Sequence, residues 1–285
     1  MNETQDGSLI LSLKEARAKF NVFELDVTHV SSEEEIKRRC YSAYMVGYQL
    51  IKVHSKNKIP SEYRQALVSS VKRLIGVEVV EESPELIVLQ DFFSNEGLTA
   101  LKTLKRMVLI ANSMFEEFLL ALEKKASFAS VIEKDDDLDR LMFLMLRQLN
   151  LALRNPATLN ELNLTAPQCV DYATLARYME RIGDKIAFAA SSMQSFNQPI
   201  DSKIVRFFRK AFDEYVQAID SFLERDVKKA ISVIDARAKM REERKLLAKQ
   251  LSSSKHAVEN VLFLELAVNV VDHSGEISEL AINQS

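Results

Sequence analysis

Residues 172–193 read YATLARYMERIGDKIAFAASSM, and this stretch decides the fold of the chain. Its apolar residues recur every three or four positions, which is the spacing of the buried face of a helix in a bundle. They are Tyr172, Leu175, Met179, Ile182, Ile186, Ala189 and Met193. Glu180 and Asp184 lie one helical turn apart beside this face, so both carboxylates project from the same side. The stretch therefore predicts a core helix that carries an acidic pair.

A weaker copy of this stretch occurs near the C-terminus. Residues 268–277 read VNVVDHSGEI, and we align Asp272 with Asp184. The tripeptide Ser-Val-Ile also occurs twice, at 130–132 and at 232–234. Such internal similarity indicates a duplicated supersecondary unit. The sequence therefore predicts a mainly α fold with two tandem antiparallel three-helix bundles, over residues 96–198 and 199–285.

Caps and breaks divide the predicted bundles into six helices. Asp135–Asp137 are expected to cap the second helix and Thr165 the third, after a loop at 155–168. Asp201 is expected to cap the fourth helix, after a break at 197–199. The remaining boundaries are a first helix over 98–125, a fourth ending near 224, a fifth over 226–250 and a sixth over 255–281.

Residues 31–95 predict a small α/β domain ahead of the bundles. Ser31 and Ser32, each followed three residues later by a glutamate, form overlapping capping boxes that open a helix ending at Gly47. The rest of the domain reads as a strand at 48–55, a helix from Pro60 to Gly76, and strands at 77–80 and 86–92. Residues 1–30 remain ambiguous, although 23–30 alternate as a strand does.

Composition limits the classes of protein to which the chain can belong. It has 285 residues, 47% of them hydrophobic, with only six Gly, five Pro and no Trp, which favours long helices and few loops. The net charge of −3 gives no global attraction for nucleic acid or anionic lipid. Cys40 and Cys169 follow no metal-binding or redox spacing, so we expect two buried thiols. We expect a soluble protein, because no apolar run reaches the roughly 18 residues that span a bilayer.

Several carboxylates have the spacing of metal ligands. Glu180 and Asp184 form one pair at four residues, and Asp135 and Asp139 form another. Two carboxylates at this spacing can converge on one cation. On the sixth helix the candidate ligands are Glu265, Asp272 and Glu276, with His273 adjacent.

A structural alternative stays open for both pairs. Glu180 and Asp184 can form salt bridges with Arg177, Arg181 or Lys185. Asp135 and Asp139 can act as helix caps and as partners of the helix dipole.

Four segments together resemble the PhoU family, and more closely its archaeal branch. They are YMERIGDK at 178–185, DDDLDRLMFLMLRQL at 135–149, RLIGVEVVEESPELIVLQD at 73–91 and AYMVGYQLIKV at 43–53. The resemblance covers roughly residues 31–283. It implies a cytoplasmic, usually homodimeric regulator of phosphate uptake, which contacts the ATPase of a phosphate ABC transporter or a signalling protein.

The resemblance also implies metal binding and DNA binding, and the residues of this chain match each of them only in part. Bacterial relatives bind iron or zinc through acidic pairs on helices, and Glu180 and Asp184 keep such a pair. We align Val268 with Glu180, so one ligand of that pair is missing in the second copy. The pair that family members carry on the second helix is missing from both copies, where the aligned residues are Met142 and Leu146, then Arg244 and Ala248. Many archaeal members carry an AbrB-type DNA-binding segment in front, of which residues 1–30 resemble a shortened remnant. Residues 1–95 hold 12 basic and 14 acidic residues, which argues against DNA binding.

No enzymatic motif occurs in the sequence. There is no glycine-rich phosphate loop, no GxSxG and no HExxH, and none of the four histidines belongs to a Glu-x-x-His pair. The sequence therefore predicts a protein-binding regulator without catalysis. The alternatives are a transcription regulator that uses its N-terminal segment, and a metal-binding bundle.

Overall fold

The computed structural model of the chain describes residues 2–3, 9–10, 21–93, 98–196 and 198–284. Contacts divide the chain into two compact units. The first unit comprises Met1–Lys105 and Asp139–Ala173, and the second comprises Arg106–Leu138 and Thr174–Ser285.

The first unit contains a four-stranded mixed sheet. Its strands are β3 (Val22–Asp26), β4 (Leu50–His54), β5 (Val77–Glu82) and β6 (Leu86–Asp91), and β1 (Asn2–Glu3) and β2 (Leu9–Ile10) form a separate antiparallel pair. The order across the sheet is β3-β4-β6-β5, with β3 parallel to β4 and the other neighbours antiparallel. The sheet therefore begins at Val22, ahead of the boundary near residue 30 that the sequence suggested.

Two helices, α1 (Glu33–Val46) and α2 (Ser61–Arg73), share the core of this sheet. Of the two predicted capping boxes at α1, the one of Ser32 and Glu35 forms in modified form. The Glu35 N–H donates to the Ser32 hydroxyl, whereas the Glu35 carboxylate accepts from the Ser31 N–H at 2.9 Å. Gly47 ends the helix at φ +104°, a conformation that glycine adopts without strain. Local signals in the sequence thus set both ends of α1.

Long helices form the rest of the chain. They are α3 (Ala100–Leu122), α4 (Ala129–Arg154), α6 (Ala166–Phe196), α7 (Ser202–Glu224), α8 (Val227–Leu251) and α9 (Ala257–Asn283), with the short α5 (Pro156–Glu161) between α4 and α6. Among the described residues no strand follows Asp91, so the prediction of a mainly helical chain with a small α/β part is confirmed. No helix in this described portion is both long and apolar enough to cross a lipid bilayer.

Two local predictions for this region were wrong. Asp135–Asp137 do not cap α4, because the helix begins six residues earlier, at Ala129, whose N–H donates to the Ser127 hydroxyl. Asp136 and Asp137 lie exposed on the surface of the helix, in its second and third turns. The segment predicted as a loop at 155–168 contains α5, which Asn155 caps ahead of Pro156 at the first helical position.

The other predicted caps are confirmed. The Gln168 N–H donates to the Thr165 hydroxyl, and the Thr165 N–H donates back to the Gln168 side chain at 2.9 Å, which opens α6. Asp201 accepts from the Lys203 N–H at the start of α7. Asp226, for which no cap was predicted, accepts from the Lys229 N–H and caps α8.

The second unit is a helical core in which α7, α8 and α9 pack pairwise against one another. Aromatic rings also join α3 to α7. Phe115 stacks on Phe212 and Tyr215 with ring centroids 4.8 and 5.2 Å apart, and Phe118 packs against Phe208 at 4.9 Å. Because Phe115 meets Tyr215 while the later Phe118 meets the earlier Phe208, α3 and α7 run antiparallel.

Candidate functional site

The acidic pair of the opening stretch lies on α6 in the second unit. Glu180 is half-buried and Asp184 is exposed, one turn apart beside the buried residues Met179, Ile182 and Ile186. Although Asp184 as a residue is exposed, protein atoms around its carboxyl group raise its pKa by burial, and Lys185 lowers it only in part. A carboxylate that loses hydration in this way is more favourable when a cation stands beside it.

Gly183, between the two acids, allows α4 to pack closely against α6. A Cβ at this position would overlap the Cδ2 atom of Leu138, a buried side chain. The Asp135 Oδ1 atom lies 3.6 Å from the same point, so Asp135 is on the side of α4 that faces α6. The second unit therefore brings Asp135 to the helix that carries Glu180 and Asp184.

Asp139 lies one turn after Asp135 on α4, in the part of the helix that belongs to the first unit. Its carboxylate forms an ion pair with Arg73 at 3.3 Å. The Asp135 and Asp139 pair thus occupies the interior of a helix, and the capping alternative for it is wrong.

The candidate ligands on α9 have basic partners. Asp272 accepts from Arg241 at 2.8 Å, and Glu265 forms an ion pair with Arg244. Glu276 accepts from His273 of its own helix at 2.7 Å. Guanidinium groups of α8 therefore neutralise Asp272 and Glu265, whereas Glu276 contacts the imidazole of His273.

The two copies of the stretch correspond differently from the alignment made on sequence. Gly275 of α9 also lies under a side chain of the preceding helix, because a Cβ there would come within 2.7 Å of the Arg237 Cδ and Nη1 atoms. Matching Gly275 to Gly183 pairs Asp272 with Glu180, and Glu276 with Asp184. The earlier pairing of Asp272 with Asp184 is therefore shifted by one helical turn, and the second copy keeps both carboxylates.

The two copies meet in the second unit through aromatic rings. Tyr178 of α6 stacks on His273 of α9 with ring centroids 5.7 Å apart, and the Arg181 guanidinium lies 6.0 Å from the centre of the Tyr178 ring. Burial raises the pKa of Tyr178, and the charge of Glu276 raises it further. The helix faces beside the two acidic pairs are thus in contact.

The sequence did not reveal a buried cluster around Arg147 in the first unit. Arg147 is 1% exposed and forms an ion pair with Asp91. Its Nη1 group donates to the carbonyls of Tyr44 at 2.6 Å and Tyr48 at 2.9 Å, and the guanidinium lies 4.8 Å from the centre of the Tyr44 ring. Burial raises the pKa of Asp91, against a smaller lowering by Arg147. The sequence signal that could have indicated this cluster is the position of Arg147 inside an apolar run of α4.

Comparisons with known proteins agree with the fold. The family model described as PhoU domain matches residues 104–193. The crystal structure of PhoU from Pseudomonas aeruginosa is similar with a TM-score of 0.51 at 20% identity, over 64% of this chain and 93% of that chain. No curated protein sequence matches the chain. These findings support the PhoU family, since the chain contains a stretch that matches the PhoU domain and has a PhoU-like fold.

Proposed function

We propose that this chain is a PhoU-type regulator of phosphate homeostasis that acts by binding other proteins. The observation that carries the proposal is the match of the PhoU domain to residues 104–193. That range includes most of α3, all of α4 and α5, and most of α6. The binding partner would be the ATPase of a phosphate ABC transporter or an associated signalling protein, and the chain would act in the cytoplasm as a homodimer without catalysis of its own.

Deletion of the gene in the source organism tests this proposal. We expect uptake of radioactive phosphate to stay high in phosphate-rich medium, where the wild type reduces it, and we expect the full chain supplied in trans to restore the reduction. Uptake that responds normally to phosphate in the deletion strain would refute a regulatory role.

A second proposal is that α6 contributes to a site for a divalent cation such as iron or zinc. Glu180, Asp184 and Asp135 supply hard oxygen donors, and Gly183 allows the helix that carries Asp135 to approach. The raised pKa of Asp184 supports the proposal, because a bound cation would favour its charged form. The cation would supply positive charge that holds α4 and α6 together.

Elemental analysis of the full chain, purified without chelator, tests the cation proposal. We expect about one equivalent of iron or zinc per chain, by analogy with tight carboxylate sites. Metal content well below this level, after dialysis against each ion, would exclude the site.

Direct DNA binding through residues 1–30 stays a prediction. Most of that segment lies outside the described residues, and its last strand, β3, pairs with β4 in the sheet of the first unit. A gel-shift assay at physiological salt against the upstream DNA of the gene would test it, and sequence-dependent retention would favour a transcription regulator.

A further inference from the structure

An apolar groove with charged edges lies between α3 and α7 in the second unit. Its volume is about 460 Å³. The floor consists of Leu119, Leu120 and Phe212, of which Leu120 is 44% exposed. The edges carry Glu116, Glu123, Arg209 and Asp213. We call this feature the α3–α7 groove.

Charge around the α3–α7 groove is compensated at one end only. Glu123 forms ion pairs with Arg209 at 2.8 Å and with Lys125 at 2.7 Å. Glu116 on α3 and Asp213 on α7 have no cationic partner within hydrogen-bonding distance among the described residues. Among the residues that the structure describes, these two negative charges, one on each wall, therefore form no ion pair.

Glu214, which follows Asp213 on α7, is affected by the negative charge of Asp213. Burial raises the pKa of its carboxyl group, and the charge of Asp213 raises it further. A cationic group beside Asp213 would reduce the repulsion between these two carboxylates.

We propose that the α3–α7 groove binds an amphipathic helix of another protein, whose apolar stripe is flanked by lysine or arginine. The apolar floor between two antiparallel helices is suited to a helix that lays its apolar side chains along it. Basic side chains on both sides of the stripe would reach Glu116 and Asp213. The inference rests on the proposed function, in which the chain acts through protein contacts, and it names the surface and the chemistry of the partner.

Charge favours a basic helix over a second copy of this chain as the occupant. A two-fold interface would place the same surface of both copies face to face. The edges carry Glu116, Glu123 and Asp213 against Arg209 alone, so each copy would bring an excess of negative charge to the interface, which costs affinity. A basic helix removes this repulsion and supplies the missing counterions.

Two synthetic peptides of about 18 residues test the proposal with the full chain, because shorter helices are marginal in water. Both carry leucines at every third or fourth position. One has lysines beside the leucine stripe, and the other has glutamates at the same places. Binding of each fluorescein-labelled peptide is measured by anisotropy at physiological salt. We expect the lysine peptide to bind at least about tenfold more tightly than the glutamate peptide.

Matched variants locate the binding surface. In the Glu116→Lys/Asp213→Lys variant we expect the lysine peptide to bind about tenfold more weakly. The Asp235→Lys/Glu242→Lys variant makes the same charge change on exposed positions of α8 and should bind as the wild type does. Circular dichroism of both variants confirms the fold, and Leu120→Gln, which changes the floor without charge, should also weaken binding.

Three results would overturn the proposal: no binding of the lysine peptide, equal binding of both peptides, or equal loss in the groove and control variants. A changed sedimentation coefficient confined to the groove variant would also overturn it, because the surface would then be a self-interface.

Failure of the groove proposal can be distinguished from failure of the proposed function. A deletion strain that loses phosphate control but recovers it fully with the groove variant refutes the groove alone, and a strain that keeps control refutes the regulatory role.

Discussion

Helices α6 and α9 each carry two carboxylates around a glycine, and the side chain that packs on the glycine differs between them. On α6 the pair Glu180 and Asp184 flanks Gly183, which lies under the apolar side chain of Leu138. On α9 the pair Asp272 and Glu276 flanks Gly275, which lies under Arg237. The second copy therefore receives positive charge from α8, whereas the first receives a packing contact from α4.

This difference shows that an acidic pair alone does not define a cation site. Asp272 has its own cation in Arg241, at 2.8 Å, and water reaches both side chains. The guanidinium is part of the chain and always charged, so unlike a bound metal ion it cannot diffuse away from the protein. At α6 a carboxyl group has lost hydration, so a bound cation would favour its charged form.

The largest expected effect is on metal affinity. If α6 holds the cation, Glu180→Gln/Asp184→Asn should weaken binding of Zn²⁺ by about 100-fold or more, because two ligands and two charges are lost. The matched variant Asp272→Asn/Glu276→Gln should leave the affinity unchanged. Isothermal titration calorimetry on the full chain measures the affinity of both variants for Zn²⁺. Equal losses would show that α6 and α9 do not differ in metal binding.

The next effect is on stability at the two glycines. Gly183→Ala should cost about 1–3 kcal/mol, because the added methyl group overlaps buried Leu138. Gly275→Ala should be close to neutral, since the end of the Arg237 side chain can move away and alanine favours the helix by about 1 kcal/mol. Urea unfolding of both variants measures the difference. A greater loss at Gly275 would contradict the correspondence between the copies.

A smaller effect concerns the ion pair of the second copy. Arg241→Ala should lower the free energy of unfolding by about 0.2–1 kcal/mol, because the Arg241 side chain is half exposed. A double-mutant cycle with Asp272→Ala isolates the pair, and its coupling should shrink in 1 M salt. Coupling that does not respond to salt would mean that α8 and α9 interact here by packing.

The smallest expected effect is a pH dependence at Asp184. The folded pKa of this group is raised, so its contribution to stability is fully present below the unfolded pKa and is lost as the pH rises through the folded value. Relative to Asp184→Asn, the metal-free wild type should therefore lose stability between acidic and neutral pH. Urea unfolding in the presence of chelator checks this trend, and the opposite slope would show that Asp184 has a favourable charge partner.

The most predictable features of the fold were those set by residues close together in the sequence, such as helix caps. Ser32, Thr165 and Asp201 each form the cap that the sequence predicts. The start of α4 was missed because three aspartates give a stronger capping signal than Ser127, although water can solvate exposed aspartates inside a helix. The relation between the two copies was shifted by one turn, because only the contacts of Gly183 and Gly275 fix it.

Interactions between distant residues could not be predicted. Arg147 lies in the apolar run of α4, and its partners Tyr44, Tyr48 and Asp91 are 103, 99 and 56 residues away in the chain. The arginines of α8 were visible as a basic stretch, but their pairing with α9 depends on the register between two helices. The acidic pair of α6 was evident from spacing, whereas the approach of Asp135 depends on packing at Gly183.

The Arg147 cluster has a consequence for how the gene can be divided. A cut near residue 95, where composition suggests a boundary, would leave Asp91 and two main-chain carbonyls on one product and their shared guanidinium on the other. Each fragment would then lose the ion pair and these hydrogen bonds, and would expose the apolar surface around them to water. Truncated products made for expression or domain exchange should keep the sheet together with α4, or they will accumulate as aggregates.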